Sequence, residues 1–286
     1  MSSTRQIKSR IRSVSSNKQI TKAMELVAAS KLRRAQEGAL RTREYAEAAR
    51  EVLGALGGLT EIAQHPLFQR RAVKARLVIL ITSDRGLAGA YNSNALRLFS
   101  QQLQRDQADG ITTRVICIGQ KGAQYAARLK GVTIDSVYKM PEAVTAPEIR
   151  PILTAAVEAY QAGAVDAVDI VTTQFVNSFT QTADSQALLP AGFKQLRAGS
   201  VTDAKFEPSP DEVLGYAAVR LVEAQLFQAV LDASASEHAM RRVAMKNASD
   251  NASDIIDALT LEMNKVRQAS ITQELSEISA GVEAMK

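Results

Sequence analysis

The sequence predicts a chain of mixed α+β / α/β class, in which a long antiparallel two-helix coiled coil flanks a small central α/β layer domain with a mainly parallel sheet. Three observations predict this. Proline is absent from residue 3 to about 56, and the first glycine there is Gly38. From Tyr216 to Ala280 there is neither glycine nor proline. Between these stretches, short apolar runs rich in β-branched residues alternate with helical patterns. The expected divisions are 1–56 for the first helix, 57–210 for the central domain and 211–286 for the second helix.

In the first helix, Ile7, Ile11, Val14, Thr21, Met24, Ala28, Leu32 and Ala35 recur close to every 3.5 residues, with a lapse at Lys18. Ser2 and Ser3 are its capping candidates. The second helix begins after EPSPDE, where Pro208 and Pro210 end the preceding structure and Asp211 and Glu212 favour a helix start. Its seam is expected from Leu214, Ala217, Leu221, Leu231, Met245, Ala252, Ile255, Leu259, Met263 and Val266. A helix with one narrow apolar stripe is unstable alone, so the two should pair. Residues 1–50 carry twelve Lys and Arg against four Glu, a balance of +8, and residues 211–286 carry seven basic against twelve acidic groups, a balance of −5. One helix enters the central domain and the other leaves it, so the pairing is antiparallel. At ~1.5 Å per residue the second should outrun the first by roughly 30 Å.

In the middle, ARLVILIT (75–82) and TRVICIG (113–119) read as strands buried on both faces. Residues 92–105, 120–130 and 147–161 read as helices, and 168–179 as a further strand followed by an extended segment toward Leu189.

Composition excludes several chemistries. One cysteine, Cys117 in a strand, makes neither an internal disulfide nor a metal cluster, and a buried strand thiol is inert. His65 and His238 have no Cys, His or carboxylate at ligand spacing, and no nucleophile, base and orienter can be assembled. No run of ~20 apolar residues could span a bilayer, and the charged N-terminus lacks the core of a secretory signal. Glu274 and Glu277 read as solvated helix surface.

SDRGLAGAYN (83–92) follows a strand and precedes a helix, where glycine-rich loops cradle phosphates, but it lacks both GxGxxG and the Lys-Ser/Thr of a P-loop. The alternative is a tight turn that needs Gly86 and Gly89 for backbone freedom. IGQKG (118–122) is a weaker glycine site. Arg5, Lys8, Arg10, Arg12, Lys18 and Lys22 could meet nucleic-acid phosphates, yet they interleave with a coiled-coil seam and no aromatic precedes Tyr45. A coiled-coil scaffold binding nucleic acid and a nucleotide-binding α/β enzyme therefore remain as alternative functions. At the C-terminus, Ile271, Leu275, Ile278 and Val282 continue an apolar stripe on the outrunning stretch. Leaving these in water forfeits ~1.5 to 3 kcal/mol each, so another subunit should surround them.

The segments IKSRIRSVSSNKQITKAMELVAASKLRRA (7–35), SDRGLAGAYN (83–92) and VRQASITQELSEISAG (266–281) resemble, in order and spacing, the gamma subunit of F-type ATP synthases. The resemblance covers essentially the whole chain. It implies a rotor shaft inside a ring of alternating alpha and beta subunits, with the α/β domain as a foot on the epsilon subunit and the c-subunit ring. Such a subunit holds no cofactor and no metal, catalyses nothing itself, binds no nucleic acid, and reaches the cytoplasmic face of the bacterial inner membrane only through the complex.

By motif, Arg242 in RVAMK and Arg267 with Gln268 in VRQAS resemble positions that catch a polar loop of a beta subunit. Thr272, Leu275 and Ile278 would lie in the apical apolar sleeve. Lys22 and Met24 in ITKAME, and Ala88 in the central loop, would face the lower rim of a beta subunit. The chain lacks the inserted cysteine pair of photosynthetic members, and Gly281-Val282 stands where some relatives have Gly-Ala.

Overall fold

The computed structural model describes residues 4–56, 65–191 and 210–283. Ser2, Ser3 and Pro208, and the side chains of Leu214, Ala217 and Val282, lie outside what it describes. The order is α1 (Thr4–Leu56), β1 (Ala75–Ile81), α2 (Tyr91–Ala108), β2 (Thr112–Ile118), α3 (Gln120–Ala126), β3 (Val132–Tyr138), α4 (Ala146–Gln161), β4 (Ala167–Phe175), β5 (Gln181–Leu189) and α5 (Pro210–Glu283). The chain forms two compact units, one of residues 1–28 with 241–286 and one of residues 29–240. This division cuts both long helices instead of following their ends.

The larger unit is built on a five-stranded sheet in the order β3-β2-β1-β4-β5. β1 pairs in parallel with β2 and β4, β2 with β3 in parallel, and β5 runs antiparallel to β4. Because a continuous apolar run has side chains on both faces, β1 feeds two cores. Leu77, Ile79 and Ile81 pack with α4 and residues 218–233 of α5, while Val78 and Leu80 pack under α2 and α3.

Two strands differ from expectation. β3 was hidden because an edge strand needs only one covered face, and VTIDSVY alternates half-buried with exposed residues. β4 stops at Phe175, earlier than residue 179, because the Asn177 carboxamide oxygen accepts from the amides of Phe179 (2.8 Å) and Thr180 (2.9 Å) and turns the chain into β5. The helix expected over 120–130 ends at Ala126.

Within the larger unit the antiparallel setting of α1 and α5 is explicit. Thr42 of α1 meets Gln228 of α5, Gly38 meets Leu231, and Leu32 packs with Ala235 and Ala239. In the smaller unit, Ile7 and Ala28 of α1 and Met245, Ser249, Ala252 and Leu259 of α5 are buried. Adding half-buried Ile256, Met263 and Val266, the α5 seam steps by four and three residues in turn. Ile255, expected in that seam, is 48% exposed and Ile256 takes its place. Buried Ser249 holds one position of that seam, which a search for apolar residues passes over.

Cys117 is fully buried between the sheet and α2 and α3, and burial pushes its thiol up to about 12. Thiol reagents and reductants are therefore expected to leave coupled activity unchanged. Cys117→Ala should cost only about 1 kcal/mol of packing. A redox response that disappears with this substitution would contradict the burial argument.

Beneath α2, Arg76 of β1 binds two buried carboxylates. Its Nε donates to Asp106 (3.0 Å) and its Nη1 to Asp169, which also accepts from Gln102 (2.7 Å). Burial works against the Arg76 charge, but Asp169 and Asp106 outweigh it and hold its pKa above the ordinary value. Burial holds Asp169 above the usual carboxylate range in spite of Arg76.

Candidate functional site

The loop after β1 occupies the place where a doubly wound sheet receives phosphate. Here it is filled from within. Asp84 turns its carboxylate toward the strand ends, accepting from the amides of Gln120 (3.0 Å) and Met140 (3.2 Å). Asn92 Oδ1 accepts from the Ser83 amide (3.0 Å), and the Ser83 hydroxyl donates to the Arg85 carbonyl (2.6 Å). A fixed anion already bound to these amides repels a phosphate from them.

The IGQKG stretch is likewise taken up by packing. Gly119 has φ 99°, and a Cβ there would strike the Thr82 carbonyl, while the Gly122 amide donates to Thr82 Oγ1 (2.8 Å).

The turn is not the one expected from its glycines. Positive φ falls on Gly89 (56°) and on Leu87 (61°), whereas Gly86 does not need it and a Cβ there would meet open space. A leucine held in the left-handed region is strained. It is also 63% exposed, whereas Ala88, the residue expected to face a partner, is buried at 2%. The loop therefore displays Leu87. Sequence reading missed it because freedom of this kind is normally assigned to the flanking glycines.

In the smaller unit, Lys22 is exposed and its Nζ donates to Glu25 (2.9 Å), while Met24 is half-buried in the seam. Arg242, Arg267 and Gln268 are all exposed. They do not form one constellation. Arg242 and Arg267 are separated by 25 residues of α5, about 37 Å along the axis, and lie within roughly 20° of the same face. Gln268 adjoins Arg267 alone, so the three residues expected to form one catch fall at two places on one side of the helix.

Every residue from 267 to 281 is exposed, including Thr272. Ile271, Leu275 and Ile278 share a stripe on that stretch and are 49%, 60% and 64% exposed. Among the described residues no group of His, Cys, Asp and Glu could hold a metal ion, and no helix is long and apolar enough to cross a membrane.

A family model described as ATP synthase matches residues 3–285. The ATP synthase gamma chain of Roseiflexus castenholzii is 42% identical over 287 residues, which span 100% of this chain and 99% of that one. The ATP synthase gamma chain of Staphylococcus saprophyticus is 38% identical over 289 residues, with 100% of both chains covered. A chain in the solved central stalk and c ring of the Tetrahymena thermophila mitochondrial ATP synthase is 26% identical. It superposes with a TM-score of 0.62, covering 80% of this chain and 99% of that one. These matches take in the coiled-coil segments as well as the sheet domain, so the whole chain belongs to the family of ATP synthase gamma chains, the central-stalk subunits of F-type ATP synthases.

Proposed function

We propose that this gamma chain is the rotor that couples rotation of a proton-driven c ring to conformational cycling of the catalytic beta subunits, and that it carries no catalysis of its own. The observation that carries the reading is the exposed end of α5. Covering Ile271, Leu275 and Ile278 would recover ~1.5 to 3 kcal/mol for each fully buried side chain, and a surrounding ring of alpha and beta subunits supplies that cover. Thr272 lies beside them in the same sleeve.

The chain's remaining contacts follow from the same reading. Arg242, and separately Arg267 with Gln268, engage beta-subunit loops. Lys22, Met24 and the loop around Ala88 face a lower beta-subunit rim, and the sheet domain rests on the epsilon subunit and the c ring. Attachment to the cytoplasmic face of a bacterial inner membrane is peripheral, through the complex.

Nucleotide chemistry is left to the partners, since Asp84 occupies the loop after β1 where phosphate would bind. The isolated chain should therefore show no ATPase turnover and no saturable mononucleotide binding. Mixed with alpha and beta subunits, it should co-purify in a complex with steady multi-site turnover. Turnover by the chain alone, or its failure to join that complex, would overturn the reading.

A further inference from the structure

Inside the larger unit, α1 and α5 meet through small side chains. A Cβ on Gly38 would lie 3.3 Å from Leu231, and Ala39 and, two turns further along α1, Ala46 are buried. Contacts this shallow resist separation of the helices better than they resist sliding or rolling, because few ridges interlock. Polar atoms bridge the helices in the same stretch. Gln228 is 5% exposed, its Oε1 accepts from the Thr42 hydroxyl (2.6 Å), and its Nε2 donates to the Ala39 carbonyl (3.1 Å).

Next to Thr42, Arg43 Nη2 donates to the Phe175 carbonyl at the end of β4 (2.8 Å) and to Asp232 of α5 (3.4 Å), about one turn beyond Gln228. Two further bonds fasten α5 to the same strand. The Thr172 hydroxyl donates to the Ala229 carbonyl (3.2 Å), and the Ser236 hydroxyl donates to the Thr173 carbonyl (3.3 Å).

We propose that Gln228 with Thr42, and Arg43 with Asp232, form a registry clamp that fixes the axial and rotational setting of α5 against α1 and β4. These are positioning residues for torque transfer between the sheet domain and the helix pair. The proposal rests on the rotor reading above and adds to it the residues that keep the shaft from slipping. A single buried polar side chain in a coiled-coil seam selects one register, because every displaced register leaves its polar atoms unpaired in apolar surroundings. Gln228 satisfies that condition through both ends of its carboxamide. Arg43 ties the selected register to the sheet through a backbone carbonyl, an acceptor whose position is fixed by the strand.

The test is the ratio of ATP-driven proton pumping to ATP hydrolysis in assembled complexes reconstituted into membrane vesicles. The double substitution Gln228→Leu with Thr42→Val removes both polar partners at similar volume, which is close to neutral for stability. The expected result is a complex that assembles and hydrolyses ATP but pumps several-fold fewer protons per ATP. Thr42→Ser, which retains the hydroxyl, should keep the wild-type ratio, and Arg43→Met should lower it in the same direction as the double variant.

A purely structural role would change melting and yield without changing protons per ATP. A wild-type ratio in the double variant overturns the clamp, and so does a wild-type ratio in Arg43→Met if the double variant fails to assemble. Wild-type complexes that hydrolyse ATP without any pumping would instead overturn the rotor reading, and the clamp with it.

Discussion

Replacing Arg76 with alanine is expected to weaken the α/β unit by about 3 to 5 kcal/mol, because it strands Asp106 and Asp169 beneath α2 without their cation. The readout is built into the fold. Cys117 lies in the core between the sheet and α2, so its reaction with a thiol reagent in mild urea reports opening of that core. The rate should rise by roughly two to four orders of magnitude in the variant.

The loss is also pH-dependent. Without Arg76 the carboxyl of Asp169 rises further above its unfolded value, so the folded state binds more protons than the unfolded one. Stability of the variant should therefore increase as the pH falls through the raised pKa. Substituting the whole set, Arg76→Met with Asp106→Leu and Asp169→Leu, should recover part of the loss, since no ion is left buried and only the Gln102 amide and the Thr113 hydroxyl lose an acceptor. Unchanged labelling in Arg76→Ala would show that the carboxylates are not held by this ion pair.

Arg242→Ala and Arg267→Ala are each expected to lower multi-site ATP turnover of the assembled complex by roughly ten-fold or more, the value of one charge-assisted hydrogen bond. Single-site nucleotide affinity should change little. Such bonds are strong enough to bias a beta subunit and weak enough to release as the shaft turns. The spacing along α5 adds a sharper expectation. Groups about 37 Å apart act independently, so the two losses should multiply in the double variant. A double variant no slower than the worse single would mean that both arginines serve one catch, and wild-type turnover in both singles would remove the contact assignment.

Much of this architecture was legible in the sequence because helices, buried strands and coiled-coil seams write themselves as periodicities. The 3.5-residue stripe from Ile7 to Ala35 and the runs at 75–82 and 113–119 lie where they were expected. What escaped was set by atoms that leave no periodic trace. β3 has one covered face and alternates weakly, Ser249 holds a seam position that apolar counting skips, and the end of β4 is decided by one Asn177 side chain.

The candidate site was less legible than the fold. Motif resemblance pointed to Arg242, Arg267 and Gln268, but only the helix geometry divides them into two places. Resemblance pointed to Ala88, yet the backbone displays Leu87. The role of Asp84 could not be read at all, because its two amide partners come from segments 36 and 56 residues away.

The most direct measurement is ATP-driven rotation of a probe fixed to this chain in an immobilised complex of alpha and beta subunits. Cys117 is too deeply buried to take a label, so exposed Lys139 replaced by cysteine provides the attachment. Unidirectional turning that begins with ATP and stops on its withdrawal is the expected result. A probe that stays still while the same complex hydrolyses ATP would contradict a rotor.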